Sequence, residues 1–407
     1  MGGNIPKPFA QKGLCFMKGA KLRTLAIVNS YTPSLVRFRG PLLQVAAEKG
    51  IHTLVLSPGL TPEVAAKVRS LGGEPLDYPL ERTGLNPLAD IRTTFALWRI
   101  FRQKRPQVVL TWQAKPNIYG ILAAATAGVP MRAAVVEGLG YAFTPGEKSL
   151  KKRLIRSAMG FLYRVSFTFT HKVFFLNPDD LKEFVEMGLV QRGKAVLLGG
   201  IGVPLEEWPP APPHLHPPTF TLIARLLKEK GVREFAQAAR RVKERHPHAH
   251  FLLIGPLDSN PGAIREEEVR EWVAEGLLEW IPWVEDVRPL LRKTSVYVLP
   301  SSYREGVPRS TQEAMAMARP VITSDVPGCR ETVAHGVNGF LVAPKDPEAL
   351  AKAMERFLQE PELIPRMGIQ SRALAETRFD ALQFSKRLLT ELGLAEENER
   401  SEASSHK

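Results

Sequence analysis

Two glutamates stand in and just after a polar loop that follows a short apolar run of the sequence. The apolar run is Val296–Leu299, Glu305 falls in the loop, and Glu313 falls in the first turn of a helix-like segment that starts near Ser310. In an open parallel sheet, ligands bind where strands end in such loops, and a helix N-terminus offers free N–H groups to anions. Two carboxylates beside Gly306 and a helix start therefore suit a sugar that carries a phosphate.

A structural role for both carboxylates fits the same residues. Ser310 and Glu313 have the S-x-x-E spacing of a capping box, in which the glutamate bonds the helix's own N–H groups. Glu305 would then be a solvated loop acid. The E-x7-E spacing does not by itself decide between the two interpretations.

A second candidate cluster follows the first apolar run of the second half of the chain. That run is Phe220–Ala224, and ARLLKEKG then places Arg225 and Lys230 in front of a helix-like segment, Val232–Arg245. Arginine offers a planar fork of donors and lysine a point charge, and both suit the diphosphate of a nucleotide leaving group. Two cations in one loop are common, so this spacing alone does not establish a site.

The string EGVPRSTQEAMAMARPVITSDVPGCRETVAHGVNGFLV resembles the donor-site signature of retaining glycosyltransferases of family four. The resemblance extends to the bacterial branch that acts on polyprenyl-diphosphate-linked sugars. It implies that Glu305 lies beside the transferred sugar and that Glu313 binds the ribose of the nucleotide. The backbone of the residues between them would face the diphosphate and the sugar: Gly306, Val307, Pro308 and Arg309.

The same resemblance covers most of residues 22–393 and implies further roles in the second half. Arg225 and Lys230 would hold the donor diphosphate, which makes them, with Glu305, the candidate catalytic residues. IPWVEDVRPLL is similar to the base-contacting loop of the family, with the backbone at Trp283 and Val284 beside the uracil.

Two strings in the first half, TWQAKPNIYGILAAATAGVP and VVEGLGYAFT, resemble first-domain signatures of the same branch. The resemblance places Lys115, Glu137, Gly138 and Gly140 on the acceptor side of the cleft. From the residues alone, the small side chains would equally serve close helix–sheet packing and a tight turn. Many members of the family carry a histidine in this region and this chain has none there, so the first-domain catalytic residue stays open.

Short apolar runs alternate with helical stretches along the chain, which predicts parallel sheets covered by helices on both faces. The predicted strands are Leu25–Asn29, Thr53–Ser57, Val108–Trp112, Ala133–Glu137, Val173–Asn177, Val196–Leu198, Phe220–Ala224, Phe251–Ile254, Leu278–Ile281, Val296–Leu299 and Val321–Ser324. The predicted helices are Leu35–Lys49, Pro87–Arg105, Asn117–Ala127, Ser149–Ser166, Pro178–Met187 and Val232–Arg245, with helical periodicity again over Arg366–Leu394. No G-x-G-x-x-G follows the first strand, so a dinucleotide fingerprint is absent.

The predicted fold class is α/β, with two Rossmann-like domains that face each other across a cleft, the GT-B fold of the family that the sequence resembles. Proline dominates residues 204–218, which is typical of a semi-rigid linker. The predicted segments are a disordered leader (1–20), an acceptor-side domain (21–203), the linker (204–218), a donor domain (219–370), helices that cross back to the first domain (371–394) and a disordered tail (395–407).

The composition fits a globular protein of two domains, with 407 residues of which 44% are hydrophobic and 24% charged. The net charge of +13 implies an anionic partner. No nucleic-acid-binding module is visible, so we expect no nucleic acid partner. Cys15 and Cys329 cannot build a disulfide framework, which favours a reducing compartment. The sequence has neither Cys/His metal spacing nor a D-x-D pair, so we expect no metal and no cofactor.

Residues 147–165, within EKSLKKRLIRSAMGFLYR and the valine that follows, form a strongly basic helical segment. Apolar residues recur at helical spacing between lysines and arginines, which suits an anionic membrane surface; they are Leu150, Leu154, Ala158, Phe161 and Val165. An ordinary sheet-covering helix with a basic outer face fits the same pattern. No stretch is long enough to span a membrane, so we expect a cytoplasmic enzyme that contacts the inner face of the plasma membrane.

Together these features predict a retaining, metal-independent hexosyl or N-acetylhexosaminyl transferase. It would move a sugar from a UDP-sugar to a polyprenyl-diphosphate-linked acceptor in the assembly of cell-surface polysaccharides or glycoconjugates. Three alternatives remain open: a nucleotide-sugar epimerase of similar build, a nucleic-acid-binding or other basic anion-binding protein, and a non-catalytic carbohydrate-binding protein. An epimerase would convert the donor without an acceptor, and a nucleic-acid binder would be retained on DNA in a salt-sensitive way.

Overall fold

The computed structural model describes residues 23–82, 84, 86–138, 150–258, 260 and 262–396. These residues form two sheets of parallel strands with helices packed against them, so the predicted α/β fold of two Rossmann-like units is confirmed. The first sheet has the order β3-β2-β1-β4-β5-β6-β7 and the second the order β10-β9-β8-β11-β12-β13.

The strands of the first sheet are β1 (Thr24–Val28), β2 (His52–Leu56), β3 (Gly73–Leu76), β4 (Val108–Trp112), β5 (Met131–Val136), β6 (Lys172–Phe175) and β7 (Ala195–Leu197). Those of the second are β8 (Thr219–Ile223), β9 (His250–Ile254), β10 (Glu279–Ile281), β11 (Val296–Leu299), β12 (Val321–Ser324) and β13 (Gly339–Val342). In both sheets the strand order reverses beside the first strand, between β1 and β4 and between β8 and β11. Loops at such a switch point are where open α/β sheets bind ligands.

The helices of the first half are α1 (Leu35–Glu48), α2 (Pro62–Ser70), α3 (Pro87–Lys104), α4 (Ile121–Thr126), α5 (Leu150–Thr168) and α6 (Pro178–Glu186). Those of the second half are α7 (Val232–Arg245), α8 (Glu266–Ala274), α9 (Arg288–Arg292), α10 (Arg309–Ala316), α11 (Pro347–Gln359), α12 (Leu363–Arg378) and α13 (Ala381–Glu391). Helix α13 packs against α1 and so returns to the first sheet. None of the described helices is long and apolar enough to cross a membrane.

Two edge strands, β3 and β13, were not among the predicted strands. β3 has the sequence Gly-Glu-Pro-Leu, and its proline is tolerated because one side of an edge strand needs no ladder donors. β13 begins at Gly339, where an added Cβ would stand 1.8 Å from the carbonyl oxygen of Val321. Glycine and proline predict turns from local sequence, and only the neighbouring strand makes these two segments extended.

Candidate active site

The loops at the carboxyl ends of the two sheets touch each other. Gly306, after β11, lies so close to the loop after β5 that a Cβ on it would stand 2.3 Å from the carbonyl oxygen of Glu137. Gly138 has a φ of +125°, and a Cβ on it would lie 3.0 Å from the Gly306 nitrogen. The side-chain amide of Asn177, after β6, donates to the Gly306 carbonyl at 2.8 Å. Loops from both domains therefore bound one narrow cleft.

Glu305 and Lys230, two of the predicted catalytic residues, are in direct contact. Lys230 Nζ donates to Oε1 of Glu305, and the Ser301 hydroxyl donates to the same oxygen at 3.0 Å. Lys230 lies in a short 3-10 turn after β8 and Glu305 in the loop after β11, so the switch point of the second sheet brings them together. The lysine side chain is 19% exposed and the glutamate 12%, which leaves both charges accessible from the cleft but little screened by water.

Two further ionisable groups lie near this ion pair and stay protonated. Burial, and then the charge of Glu305, raises the pKa of Tyr303 to about 12. Burial likewise raises the pKa of the Cys329 thiol to about 12, with Glu305 adding to the shift. A thiol attacks as the thiolate, so Cys329 is not a nucleophile at neutral pH.

Arg225 is held by a residue that the sequence did not single out. Its Nη1 donates to Oδ2 of Asp258 at 2.7 Å, and its guanidinium is 53% exposed while the carboxylate is 10% exposed. Burial raises the pKa of Asp258, but hydrogen bonds from Asn260 and Arg225 outweigh this and keep that pKa below its ordinary value. Asp258 therefore stays ionised and orients a guanidinium whose remaining donors face solvent.

Glu313 is buried and bonds two arginines rather than the backbone of its own helix. Its Oε1 accepts from Arg37 Nη2 at 2.6 Å and from Arg309 Nε at 3.2 Å. The N-cap of α10 is Pro308, which makes no side-chain cap, and the Ser310 hydroxyl is bonded to the Tyr297 hydroxyl instead. The capping-box interpretation is therefore wrong, because the arginines occupy the carboxylate. Arg37 belongs to α1, so this ion pair joins the two domains.

The predicted base-contacting loop lies at the mouth of a cavity. Trp283 is 69% exposed and Val284 is partly buried against the core. A cavity of about 500 Å³ lies between α1, the start of the linker and the loop after β10, with Arg37, Arg288 and Arg309 in its wall. Of the residues predicted for the donor site, Arg309 lines this cavity, whereas Arg225, Lys230, Glu305, Trp283 and Val284 do not.

On the first-domain side, the carboxylate of Glu137 is fixed by two residues that sequence reasoning missed. Arg39 Nη2 donates to Oε1 at 2.6 Å, and Gln113 Nε2 donates to Oε2 at 2.7 Å. Arg39 is fully buried with its guanidinium 3.5 Å from the centre of the Trp112 ring. Gln113 has a φ of +67°, an uncommon backbone for this residue, and its Oε1 accepts from the backbone N–H and hydroxyl of Ser30. Glu137 keeps 21% of its side chain exposed, so the network presents one carboxylate to the cleft.

The other predicted acceptor-side residues have different positions. Lys115 bonds Asp90 of α3 at 2.7 Å, and the Tyr119 hydroxyl donates to the same carboxylate at 2.8 Å. Lys115 therefore ties α3 to the end of β4 and pairs with Asp90 rather than with Glu137. Gly140 lies outside the described residues.

Charged side chains of α6 hold the loop that carries Glu305. Arg304 bonds Asp180 at 3.1 Å and also bonds Glu183, while Arg330 bonds Asp179 at 3.0 Å. Burial raises the pKa of Asp180 to about 6, although hydrogen bonds from Asn177 and Arg304 act in the opposite direction. The donor loop is thus fixed by side chains of the other domain. The signal in the sequence was the helix start Asn-Pro-Asp-Asp, which identifies α6 but not its partners.

Two Rossmann-like domains that face each other across such a cleft are the build of GT-B glycosyltransferases, and family models agree with that class. Residues 41–200 match the model for a glycosyl transferase 4-like domain, and residues 217–360 match the model for glycosyl transferases group 1. The chain belongs to this glycosyltransferase family. In the described residues, no three His, Cys, Asp or Glu side chains are grouped so as to hold a metal ion.

Named relatives and solved structures agree. The chain is 28% identical over 371 residues to the N,N'-diacetylbacillosaminyl-diphospho-undecaprenol alpha-1,3-N-acetylgalactosaminyltransferase of Campylobacter jejuni, covering 88% of this chain and 94% of that one. It is 24% identical to the UDP-Gal:alpha-D-GlcNAc-diphosphoundecaprenol alpha-1,3-galactosyltransferase of Escherichia coli, over 67% of this chain and 72% of that one. The fold matches Anabaena HepE in complex with UDP-glucose with a TM-score of 0.71 at 14% identity, over 91% of this chain and all of the other.

Proposed function

We propose that this glycosyltransferase moves a sugar from a UDP-sugar to a polyprenyl-diphosphate-linked sugar, with retention at the anomeric carbon and without a metal ion. The names of the Campylobacter and Escherichia relatives support the acceptor class, and the UDP-glucose complex of HepE supports the donor. The observation that carries the proposal is the Glu305–Lys230 pair, which lies at a strand switch point in a loop whose backbone touches the backbone at Glu137. The epimerase, anion-binding and carbohydrate-binding alternatives have no comparable support.

The reaction follows from where the charges stand. The acceptor hydroxyl oxygen bonds to the anomeric carbon on the face from which UDP departs, the bond from that carbon to the phosphate oxygen breaks, and the hydroxyl proton passes to the departing phosphate. Lys230 and Arg225 stabilise the negative charge that develops on the diphosphate, by preorganised electrostatics. Glu305 accepts hydrogen bonds from sugar hydroxyls and stabilises the positive charge that develops on the sugar ring. It forms no covalent bond to the sugar.

Glu313 would bind the ribose of the donor nucleotide, and Glu137 would bind the acceptor. Both arginine contacts of Glu313 are to Oε1, and its side chain is 1% exposed, so a ribose hydroxyl would reach Oε2 only after the half-exposed Arg37 moves aside. Arg39 and Gln113 fix the carboxylate of Glu137, and we assign it to a hydroxyl on the acceptor side. The backbone at Trp283 and Val284 would border the base.

Helix α5 supports contact with an anionic membrane surface. Leu154 is 64% exposed and Phe161 66%, whereas Tyr163 and Phe167 are buried against the sheet. Three of the five apolar residues that the sequence pattern picked out, Leu154, Ala158 and Phe161, therefore face away from the sheet, while Val165 is partly buried. Residues 147–149 lie outside the described part. Such a position would place the enzyme on the inner face of the plasma membrane, where a lipid-linked acceptor is held.

Binding of UDP is the first test of this proposal. A ligand that binds only the folded state raises the free energy of unfolding by roughly 2.7 kcal/mol at about one hundred times its dissociation constant. UDP should raise the unfolding temperature in the presence of EDTA, GDP and ADP should not, and Arg225→Ala should abolish the rise. Arg245→Ala, which removes a guanidinium at the last residue of α7 that pairs with Glu355 of α11, is the matched control. Stabilisation by DNA alone would contradict the donor site.

A further inference from the structure

Helix α3 carries a second outward apolar face that the fold itself does not need. Its buried side is formed by Thr93, Leu97 and Phe101. Three large side chains point the other way: Leu88, Ile91 and Phe95 are 79%, 65% and 60% exposed. Their spacing of three and four residues puts them on one side of the helix.

Helices α3 and α5 stand on the same side of the first sheet. Both pack against α4 and against the π-helical turn Pro116–Gly120 that precedes it. As crossover helices of a parallel sheet, both run antiparallel to the strands, so their N-terminal halves lie at the carboxyl edge. The exposed apolar residues of α3 are in its first half, and those of α5 begin in its second turn. We call these five side chains, Leu88, Ile91, Phe95, Leu154 and Phe161, the α3–α5 surface.

Helices α3 and α5 are themselves basic, although acids of neighbouring segments bond them: Glu74 to Lys104, Glu81 to Asn86 and Glu183 to Arg156. α3 contains four lysines and arginines and α5 contains five, whereas the one acid in either helix is Asp90. Asp90 is buried and paired with Lys115, so it does not offset the outer charge. Arg92, Arg99 and Arg153 are exposed, and none of the three forms an ion pair with another described residue.

We propose that α3 and α5 together lie on an anionic phospholipid bilayer, with the α3–α5 surface in the interface and the flanking arginines at the headgroups. Separated apolar side chains between cations, with no exposed acid on either helix, suit that occupant better than a protein, because each cation near an anionic leaflet adds attraction and each apolar side chain adds buried area. The inference extends the membrane contact of α5 under the proposed function to a second, independent helix. It adds a planar contact that one helix cannot provide.

The position of the surface would also orient the cleft. Lys115 and Tyr119 both bond Asp90, in the first turn of α3, so that end of the helix is fixed to the loop after β4. Gln113 of that loop bonds Glu137. A bilayer under α3 and α5 would therefore lie below the acceptor-side carboxylate, at the edge from which a lipid-linked diphosphate enters.

Vesicle binding of the full chain tests the inference with a matched pair of variants. Ile91→Glu and Ile369→Glu make the same change at side chains that are both 65% exposed, and Ile369 lies on α12 of the other domain. Binding is read by co-sedimentation with vesicles of phosphatidylcholine and phosphatidylglycerol. Ile91→Glu and Leu154→Glu should each weaken binding about tenfold or more, while Ile369→Glu should bind like wild type. Phosphatidylcholine vesicles alone should bind weakly.

Two results would overturn the inference. One is that Ile91→Glu binds anionic vesicles as well as wild type. The other is that Ile91→Glu instead turns a dimer into a monomer in size-exclusion chromatography, which would assign the face to a second copy of the chain. The UDP-induced rise in unfolding temperature should be the same in every variant. If that rise is present and vesicle binding is absent, the membrane inference fails while the proposed donor site stands.

Discussion

The carbonyl oxygen of Glu137 occupies the space in which a side chain on Gly306 would have to begin. The two residues belong to different domains, and a Cβ on Gly306 would stand 2.3 Å from that oxygen. The chemistry proposed for Glu305 depends on this close contact between the two loops, because Glu305 immediately precedes Gly306. The glycine is therefore a requirement of the closed cleft rather than of the loop alone.

Gly306→Ala should prevent the two loops from meeting and should lower turnover by about a hundredfold, since a displacement of about 1 Å near the reacting atoms has such an effect. UDP affinity should change less, because Arg225, Lys230 and the predicted base-contacting loop keep their positions. Steady-state kinetics and UDP titration measure the two effects. Gly193→Ala, where a new Cβ would meet nothing, is the control and should match wild type.

Glu305→Gln should lower turnover far more than it lowers UDP affinity. Removing one group that stabilises charge in a transition state costs roughly 100- to 1000-fold in rate. Lys230→Ala should damage both turnover and UDP affinity, because its ammonium group is assigned to the diphosphate as well as to Glu305. Equal losses of affinity in the two variants would contradict this division of roles.

Arg39→Met should lower the free energy of unfolding by about 3 kcal/mol, because it leaves a carboxylate without its buried partner. Arg39→Lys should rescue only part of the loss, since lysine lacks the planar guanidinium that stacks on Trp112. Urea unfolding measures both. Arg240→Met, at an exposed pair with Glu275, should change stability by less than about 1 kcal/mol.

Much of the placement of the predicted donor-site residues could be predicted, because each residue follows an apolar run that is a strand of the second sheet. Arg225, Lys230 and Glu305 follow apolar runs that proved to be β8 and β11, and adjacent parallel strands bring their loops together. Arg39, Gln113 and Asn177 could not be found in the same way. They stand in separate elements, their residue types are common, and only the pairing of β1 with β4 and of β5 with β6 places them around Glu137.

The assignment of α5 shows another limit of sequence patterns. Leu154, Ala158 and Phe161 have the spacing of a buried helix face, but the residues packed on the sheet are Tyr163 and Phe167. Periodicity identifies a side of a helix without saying which side meets the sheet. The exposed side of α3 was missed for the same reason.

The pKa of Asp180 predicts a pH dependence of stability. Burial raises that pKa to about 6, so between pH 4 and 6 the folded chain keeps a proton that the unfolded chain has lost. The contribution of this carboxyl to the free energy of unfolding therefore decreases as pH rises through that window. The decrease is about 3 kcal/mol for a pKa shift of about two units. Wild type should lose stability relative to Asp180→Asn from pH 4 to 6 and then run parallel to it. Asp179→Asn, at a partly exposed carboxylate, is the control, and a constant difference for Asp180→Asn would contradict the prediction.

The most direct test of the central claim is transfer itself, measured with UDP-hexoses and UDP-N-acetylhexosamines, a short polyprenyl-diphosphate-linked sugar as acceptor, and EDTA throughout. We predict a glycosylated lipid product whose new linkage, read by NMR, has the anomeric configuration of the donor, and loss of that product in Glu305→Gln. An inverted linkage, or transfer that appears only when a divalent cation replaces EDTA, would contradict the proposed mechanism. Conversion of the UDP-sugar without any acceptor would contradict the transferase assignment.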